Sequence, residues 1–158
     1  MSRRPWQPEG DLPSPLIPLE RTFEGFLDLE WVELTSESAH VRFRVRENLK
    51  QPLGLLHGGI YCAVAETIAS VATVREVWQD GCTASGLSNS ASFLRPITDG
   101  SVDVVARLRG HDDREWLWSL EFRDDHDRLC ALVDVTIAAR PRSRRYAGTM
   151  IAGSGPGA

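Results

Sequence analysis

Cysteine is scarce in this sequence: Cys62, Cys82 and Cys130 are odd in number and widely spaced. They form neither a disulfide framework nor a Cys-x-x-Cys metal pair, and each reads as a small buried hydrophobe. Long apolar runs are lacking too, since no stretch approaches the roughly 18 residues that span a bilayer. The opening Met1-Ser-Arg-Arg-Pro-Trp6 leads into prolines and not into an apolar signal core, so the expected location is cytoplasmic, with no membrane partner. Positive charge is not in excess either. A net charge of −4 gives no global attraction to nucleic acid, so no nucleic-acid partner is expected and any anionic ligand must be held by a local basic cluster. No internal repeat or low-complexity block is present.

What is there fits one globular domain: 158 residues, 42% hydrophobic, suffice for a single core. Residues 1–20 carry Pro5, Pro8, Pro13, Pro15 and Pro18, which forbid regular ladders, so they read as a flexible arm. Residues 21–142 form the expected domain, and 143–158, basic and then rich in Gly, Ser and Pro, the expected flexible tail. Within the domain, alternation predicts strands over 26–35 and 39–45, a loop over 47–56 containing Pro52 and Gly54, and a helix over 58–79 stopped at Asp80-Gly81. Four more strands follow in hairpin-like succession, over 83–93, 101–109, 115–123 and 129–139. In the third of these Trp116, Trp118, Leu120 and Phe122 share one face, which marks them as core. The expected class is α+β, an antiparallel sheet of five to six strands wrapped around one long central helix.

That helix carries the informative residues. From Ile60 to Trp78 nearly every side chain is small or apolar, so Glu66 stands where charge is expensive. At 3.6 residues per turn, Gly59, Cys62, Glu66, Ser70 and Thr73 form one stripe of small or polar groups, while Ile60, Val64, Ile68, Val71 and Val74 face the sheet. Glu66 reads either as a catalytic carboxylate or as a structural one satisfied by a neighbouring Arg or Ser. At the helix start, the amides of Gly58 and Gly59 point outward, where they can stabilise an oxyanion. Gly58 and Glu66 are eight residues apart, about 12 Å along the axis, so they cannot both touch one carbonyl. If they act together, each site takes Gly58 from one subunit and Glu66 from another, with two helices antiparallel across a two-fold axis.

Other constellations are weaker. Gly86-Leu87-Ser88-Asn89-Ser90 lacks the last glycine of a nucleophile elbow and sits in a strand with no helix behind it. His111-Asp112-Asp113 and Asp124-Asp125-His126-Asp127 fall between strands and read as turns, so no metal site is expected. Cys62 next to His57 reads as packing and not as a thiol nucleophile.

From Phe26 to Arg142 the sequence resembles the hotdog-fold acyl-CoA thioesterases of the phenylacetate-type branch, with His57-Gly58-Gly59 followed by a helical Glu66. Gln51, Leu55-Leu56, Tyr61-Cys62-Ala63, Ser88-Asn89, Ser92-Phe93, Arg95-Pro96, Arg123-Asp124-Asp125, Arg128 to Ala131 and Ala139 to Arg142 bring it closest to the glutamate-using 4-hydroxybenzoyl-CoA thioesterases. The resemblance implies Glu66 as nucleophile or general base, the Gly58 amide polarising the thioester carbonyl, and Gln51 orienting the reacting group or water. It implies that His57 and Gly59 support the turn and that Ser70, where relatives have threonine, meets the acyl end or the water. Arg95 and Arg142 resemble arginines that meet coenzyme A phosphates. The charged Asp113-Arg114-Glu115 stands where relatives carry small hydroxyl residues.

The implied reaction is hydrolysis of an aromatic, hydroxybenzoyl-like acyl-CoA, with no cofactor beyond the coenzyme A of the substrate. The implied assembly is a homodimer with shared sites, paired into a tetramer. Alternatives are an acyl-CoA-binding hotdog protein without turnover, which would not need Glu66 and Gln51 together, and a thioesterase for short or medium acyl chains. A hotdog hydratase would want an Asp/His pair for proton transfer, and no second acid-base partner stands near Glu66.

Overall fold

The structure, a computed structural model, describes residues 17–142. The expected tail over 143–158 and most of the expected arm over 1–20 therefore lie outside the described residues. The chain opens with a turn at Leu19–Arg21 and a short helix α1, Phe23–Leu27. Strands β1 (Glu30–Leu34) and β2 (Ser38–Arg44) follow, then a turn at Glu47–Leu49 and the long helix α2 (Gly58–Val77). Strands β3 (Cys82–Phe93), β4 (Ser101–His111), β5 (Glu115–Asp124) and β6 (Leu129–Pro141) complete the fold.

Two expectations are corrected. The segment 26–35 is not one strand, because Thr22 caps a helical turn by accepting from the Gly25 amide and Asp28 closes it in the left-handed conformation. Nor do the last four strands run in simple succession. All strands are antiparallel in one six-stranded sheet ordered β1-β2-β4-β5-β6-β3, so β3 lies at the far edge beside β6 while β4 returns to pair with β2. This is the hotdog arrangement.

The sheet wraps α2 with the apolar face of β4, β5 and β6. Val102, Val104, Trp118, Leu120, Phe122, Val133 and Ile137 meet Val64, Ala65, Ile68 and Ala72 in one core. Trp118 Nε1 donates to Thr73 Oγ1 at 3.0 Å inside that core. A buried indole N–H without an acceptor costs about 1–3 kcal/mol, so Thr73 is a packing residue and leaves the polar stripe assigned to it. The cysteines divide: Cys130 is buried, whereas Cys62 and Cys82 are half-buried. The opposite face of the sheet is charged, with Glu30, Arg42, Asp103 and Arg123 side by side across four strands.

The Asp124 turn is structural. Its carboxylate accepts from the His126 and Arg128 amides and from Arg128 Nε at 2.8 Å. The Arg128 hydrogen bond comes first in holding this carboxyl down at about 2, against an ordinary 3.8. A depressed folded value contributes stability that is complete above the unfolded value and is lost as pH falls through the folded one. The melting-temperature advantage of the native chain over Asp124→Asn is therefore expected to be full above about pH 4 and to close as pH approaches about 2.

Candidate active site

Helix α2 begins where the expected oxyanion donor was placed. His57 is its N-cap, and His57 Nδ1 accepts from the Gly59 amide at 2.9 Å. That fixes the imidazole and occupies the Gly59 N–H. The Gly58 amide, at the first helical position, has no intrahelical acceptor and remains the donor aimed out of the positive helix end. A Cβ on Gly58 would stand 3.1 Å from Phe93 Cζ, so glycine lets the end of β3 close over the helix start. Phe93 is 57% exposed and packs its inner side on Tyr61, centroid to centroid 5.5 Å. Burial pushes the Tyr61 phenol up to about 12, so it stays neutral near pH 7.

Glu66 lies two turns further along α2 and is half-buried, less enclosed than the apolar sequence around it suggests. Ser70 Oγ donates to Glu66 Oε1 at 2.9 Å, the neighbour expected one turn on. This pins one oxygen, and among the described residues Oε2 has no hydrogen-bond partner. Against the same carboxylate comes the backbone of β3, where a Cβ on Gly86 would sit 3.1 Å from Glu66 Oε1. The β3–β6 register shifts between Gly86 and Ser88, a bulge beside the carboxylate. Asn89 Nδ2 donates to the Cys62 carbonyl at 2.8 Å and ties the strand to the helix.

The remaining expected residues stand apart from Glu66 in the single chain. Gln51 closes its own loop: its side-chain oxygen accepts from the Leu53 amide, and its amide donates to the Leu55 carbonyl at 2.8 Å. Its side-chain nitrogen donates to no partner among the described residues. Arg95 follows β3 and donates through Nη1 to the Leu129 carbonyl at 2.6 Å. Arg142 follows β6 at the other end of β3, where its amide donates to the Gly81 carbonyl at 2.9 Å and its guanidinium lies 4.1 Å over the Trp78 ring. The strand between them, twelve residues long, spans about 40 Å. One chain thus brings together His57, Gly58, Gly59 and Phe93 at one place and Glu66 and Ser70 at another. The two arginines lie at opposite ends.

Comparison with known proteins places this geometry. The description "Thioesterase superfamily" fits residues 53–131. A Mycobacterium tuberculosis protein provisionally named an esterase is 35% identical over 142 residues, covering 85% of this chain and 99% of the relative. The chain belongs to the thioesterase superfamily. The solved structure of that mycobacterial protein superposes with a TM-score of 0.72 at 33% identity, covering 77% of this chain and 98% of the other. A 1,4-dihydroxy-2-naphthoyl-CoA hydrolase of Escherichia coli is 32% identical over 124 residues, 75% of this chain and 87% of the relative. A Haemophilus influenzae thioesterase structure matches at TM-score 0.72 and 27% identity, covering 78% and 85%. As a hotdog thioesterase, the protein is a thioester hydrolase.

Three residues at the thioesterase's candidate site had no individual role in the sequence: Asn89 and Phe93 entered only as part of the family resemblance, and Gly86 only in the rejected nucleophile elbow. Gly86 had a usable signal, an isolated glycine inside a strand pattern, which marks a bulge or a close backbone approach. The contacts of Asn89 and Phe93 with α2 had no local signal, because their partners are 27 and 35 residues away.

Proposed function

We propose that this thioesterase hydrolyses an aromatic, hydroxybenzoyl-like acyl-CoA to the free acid and coenzyme A at sites shared between two subunits. The observation that carries the reading is the Glu66 carboxylate, braced by Ser70 on one oxygen only and set two helical turns from an amide suited to an oxyanion. Thioester hydrolysis needs those two parts: a nucleophile or base at the carbonyl, and a donor for its developing charge. Because the thiolate leaves readily, no cofactor or metal is required. The Escherichia coli relative, named for a hydroxylated aromatic acyl-CoA, supports the aromatic class.

Within one chain the rise of eight residues separates the two parts, so a second copy supplies the Gly58 amide and the Gln51 side-chain donor to each Glu66. The edge position of β3 supports this reading. It is long, exposed from Ser85 to Ser90, bears the exposed Leu87 and Phe93, and has its outer side unpaired among the described residues. Such an edge is a template for pairing. The same two-fold brings Arg95 of one subunit toward the end of the site where Arg142 of the other stands, which suits both to the phosphates of one coenzyme A. Pairing of dimers into a tetramer belongs to the same proposal.

Two routes fit Glu66. It attacks the carbonyl to give an acyl-enzyme anhydride, or it removes a proton from the attacking water, and oxygen-18 incorporation into Glu66 in single turnover separates them. The test of the function is thiol release from a panel of hydroxybenzoyl-, dihydroxynaphthoyl-, phenylacetyl- and straight-chain acyl-CoA, with mass determination by sedimentation. The reading expects the highest kcat/KM on an aromatic member and a dimer or tetramer. Preference for straight chains, or full activity from a monomer, contradicts it.

A further inference from the structure

Trp78 and Arg142 form a unit for which the hydrolytic reaction at Glu66 gives no account. Trp78 is the C-cap of α2 and is 3% exposed. Over its ring, at 4.1 Å from the centroid, lies the Arg142 guanidinium, half-buried and fixed at its backbone by the Gly81 carbonyl. Gly81, at φ 75°, turns the chain out of the helix so that β3 can start there and pair with the end of β6. Arg142 is thereby held by a ring on one side and by a strand on the other.

Stacking uses the face of a guanidinium and leaves its N–H donors, which lie in the plane, unspent. Among the described residues those donors have no carboxylate or carbonyl partner, whereas Arg42, Arg123 and Arg128 are each in an ion pair and Arg95 spends a donor on Leu129. The helix C-terminal carbonyls attract the guanidinium and help keep it in place without an anion. Arg142 is thus a preorganised planar fork, the form suited to a phosphate. Trp78 follows Glu66 by twelve residues, about 18 Å along the helix axis, so an anion held here belongs to the far end of a long substrate and not to its reacting group.

We infer that Trp78 is a positioning residue for coenzyme A recognition: its indole holds the Arg142 guanidinium edge-on to a phosphate of the nucleotide end. The inference rests on the acyl-CoA reading above and adds the residue that fixes the arginine. Breaking the stack forfeits the cation–π attraction and the fixed orientation, so Trp78→Leu is expected to raise KM for acyl-CoA about three- to fivefold with kcat within twofold. Trp78→Phe, which keeps a ring face, stays near the native value. Arg142→Ala removes the charge-assisted bonds themselves and raises KM about tenfold or more.

The test measures each variant on acyl-CoA and on the phosphate-free N-acetylcysteamine thioester of the same acid, together with calorimetric binding of coenzyme A and of pantetheine. Because Trp78 is buried, Arg142→Lys is included; it keeps the charge and the indole but loses the planar fork. The expected result is that Trp78→Leu, Arg142→Lys and Arg142→Ala weaken acyl-CoA and coenzyme A while leaving the phosphate-free compounds unchanged. In the double variant Trp78→Leu with Arg142→Ala, the loss equals that of Arg142→Ala alone. Equal losses on both substrate types show a structural role and overturn the inference, as does an unchanged KM for acyl-CoA in Trp78→Leu and Arg142→Lys. These failures leave the acyl-CoA reading standing if the native enzyme turns the substrate over. A native protein that binds coenzyme A through Trp78 but hydrolyses no acyl-CoA overturns that reading and upholds the anchor, and one that binds no coenzyme A overturns both.

Discussion

Glu66→Gln is expected to lower kcat for thioester hydrolysis by about 10²- to 10⁴-fold, the range that a positioned acid-base or nucleophilic group contributes. The glutamine is nearly isosteric and can still accept from Ser70 Oγ, as Glu66 Oε1 does at 2.9 Å. Packing is therefore kept while the charge, and with it both nucleophilic attack and proton removal, is lost. Acyl-CoA binding and melting temperature should hardly change, since the side chain is half-buried and faces the open stripe of α2. Steady-state turnover with a parallel binding measurement checks this. Turnover within a few-fold of native would sink the assignment of Glu66, whatever the substrate.

The second large effect is expected one strand away, at a residue without a functional group. An alanine Cβ at position 86 would lie 3.1 Å from Glu66 Oε1, 3.5 Å from its Cγ and 3.7 Å from its Cδ. Gly86 has no positive φ, so the backbone accepts alanine and the strain falls on the carboxylate. The end of a glutamate side chain moves more easily than a strand paired on β6. Glu66 therefore shifts by a few tenths of an ångström or more and its Ser70 bond is disturbed. Misplacement on the scale of 1 Å can cost about 10²-fold, so Gly86→Ala is expected to reduce kcat between tenfold and about a hundredfold with little change in stability. A native kcat in Gly86→Ala would show that the bulge serves only the sheet. A large fall in melting temperature would show that the alanine is resolved by the backbone.

Legibility of the fold in the sequence follows the range of the interactions. The helix over Gly58–Val77 and the four long strands are written in local periodicity, and the observed bounds fall within two residues of those expected. The placement of β3 beside β6 is not local. It rests on pairing between residues such as Ser92 and Leu132, forty positions apart, and no turn signal reports it. Phe26 and Leu27 alternate well enough for a strand, but the Thr22 cap and the left-handed Asp28 make them helical. At the site, the glycines at the helix start and the spacing of Glu66 from Ser70 were legible because they repeat along one helix. The contacts of Gly86 and Asn89 with that helix were not, since they come from another element, and the lone glycine in a strand marked a bulge or close approach without naming Glu66 as the group approached. Thr73 shows the opposite error: its spacing put it on the polar stripe, but the Trp118 indole claims its hydroxyl in the core.

The division of each site between two subunits is the central claim, and exchange of subunits between two defective enzymes tests it most directly. Glu66→Gln and Gln51→Ala each damage every site in their own homodimer. In a mixed dimer, one site collects both lesions and the other is intact, combining Glu66 of one subunit with Gln51 and the Gly58 amide of its partner. Random exchange makes about half of the dimers mixed with one good site each, so activity is predicted to rise above both parents to about a quarter of native. If Gln51 and Glu66 served the same site from one chain, every site in the mixture would carry a lesion, and activity would stay at the average of the two parents.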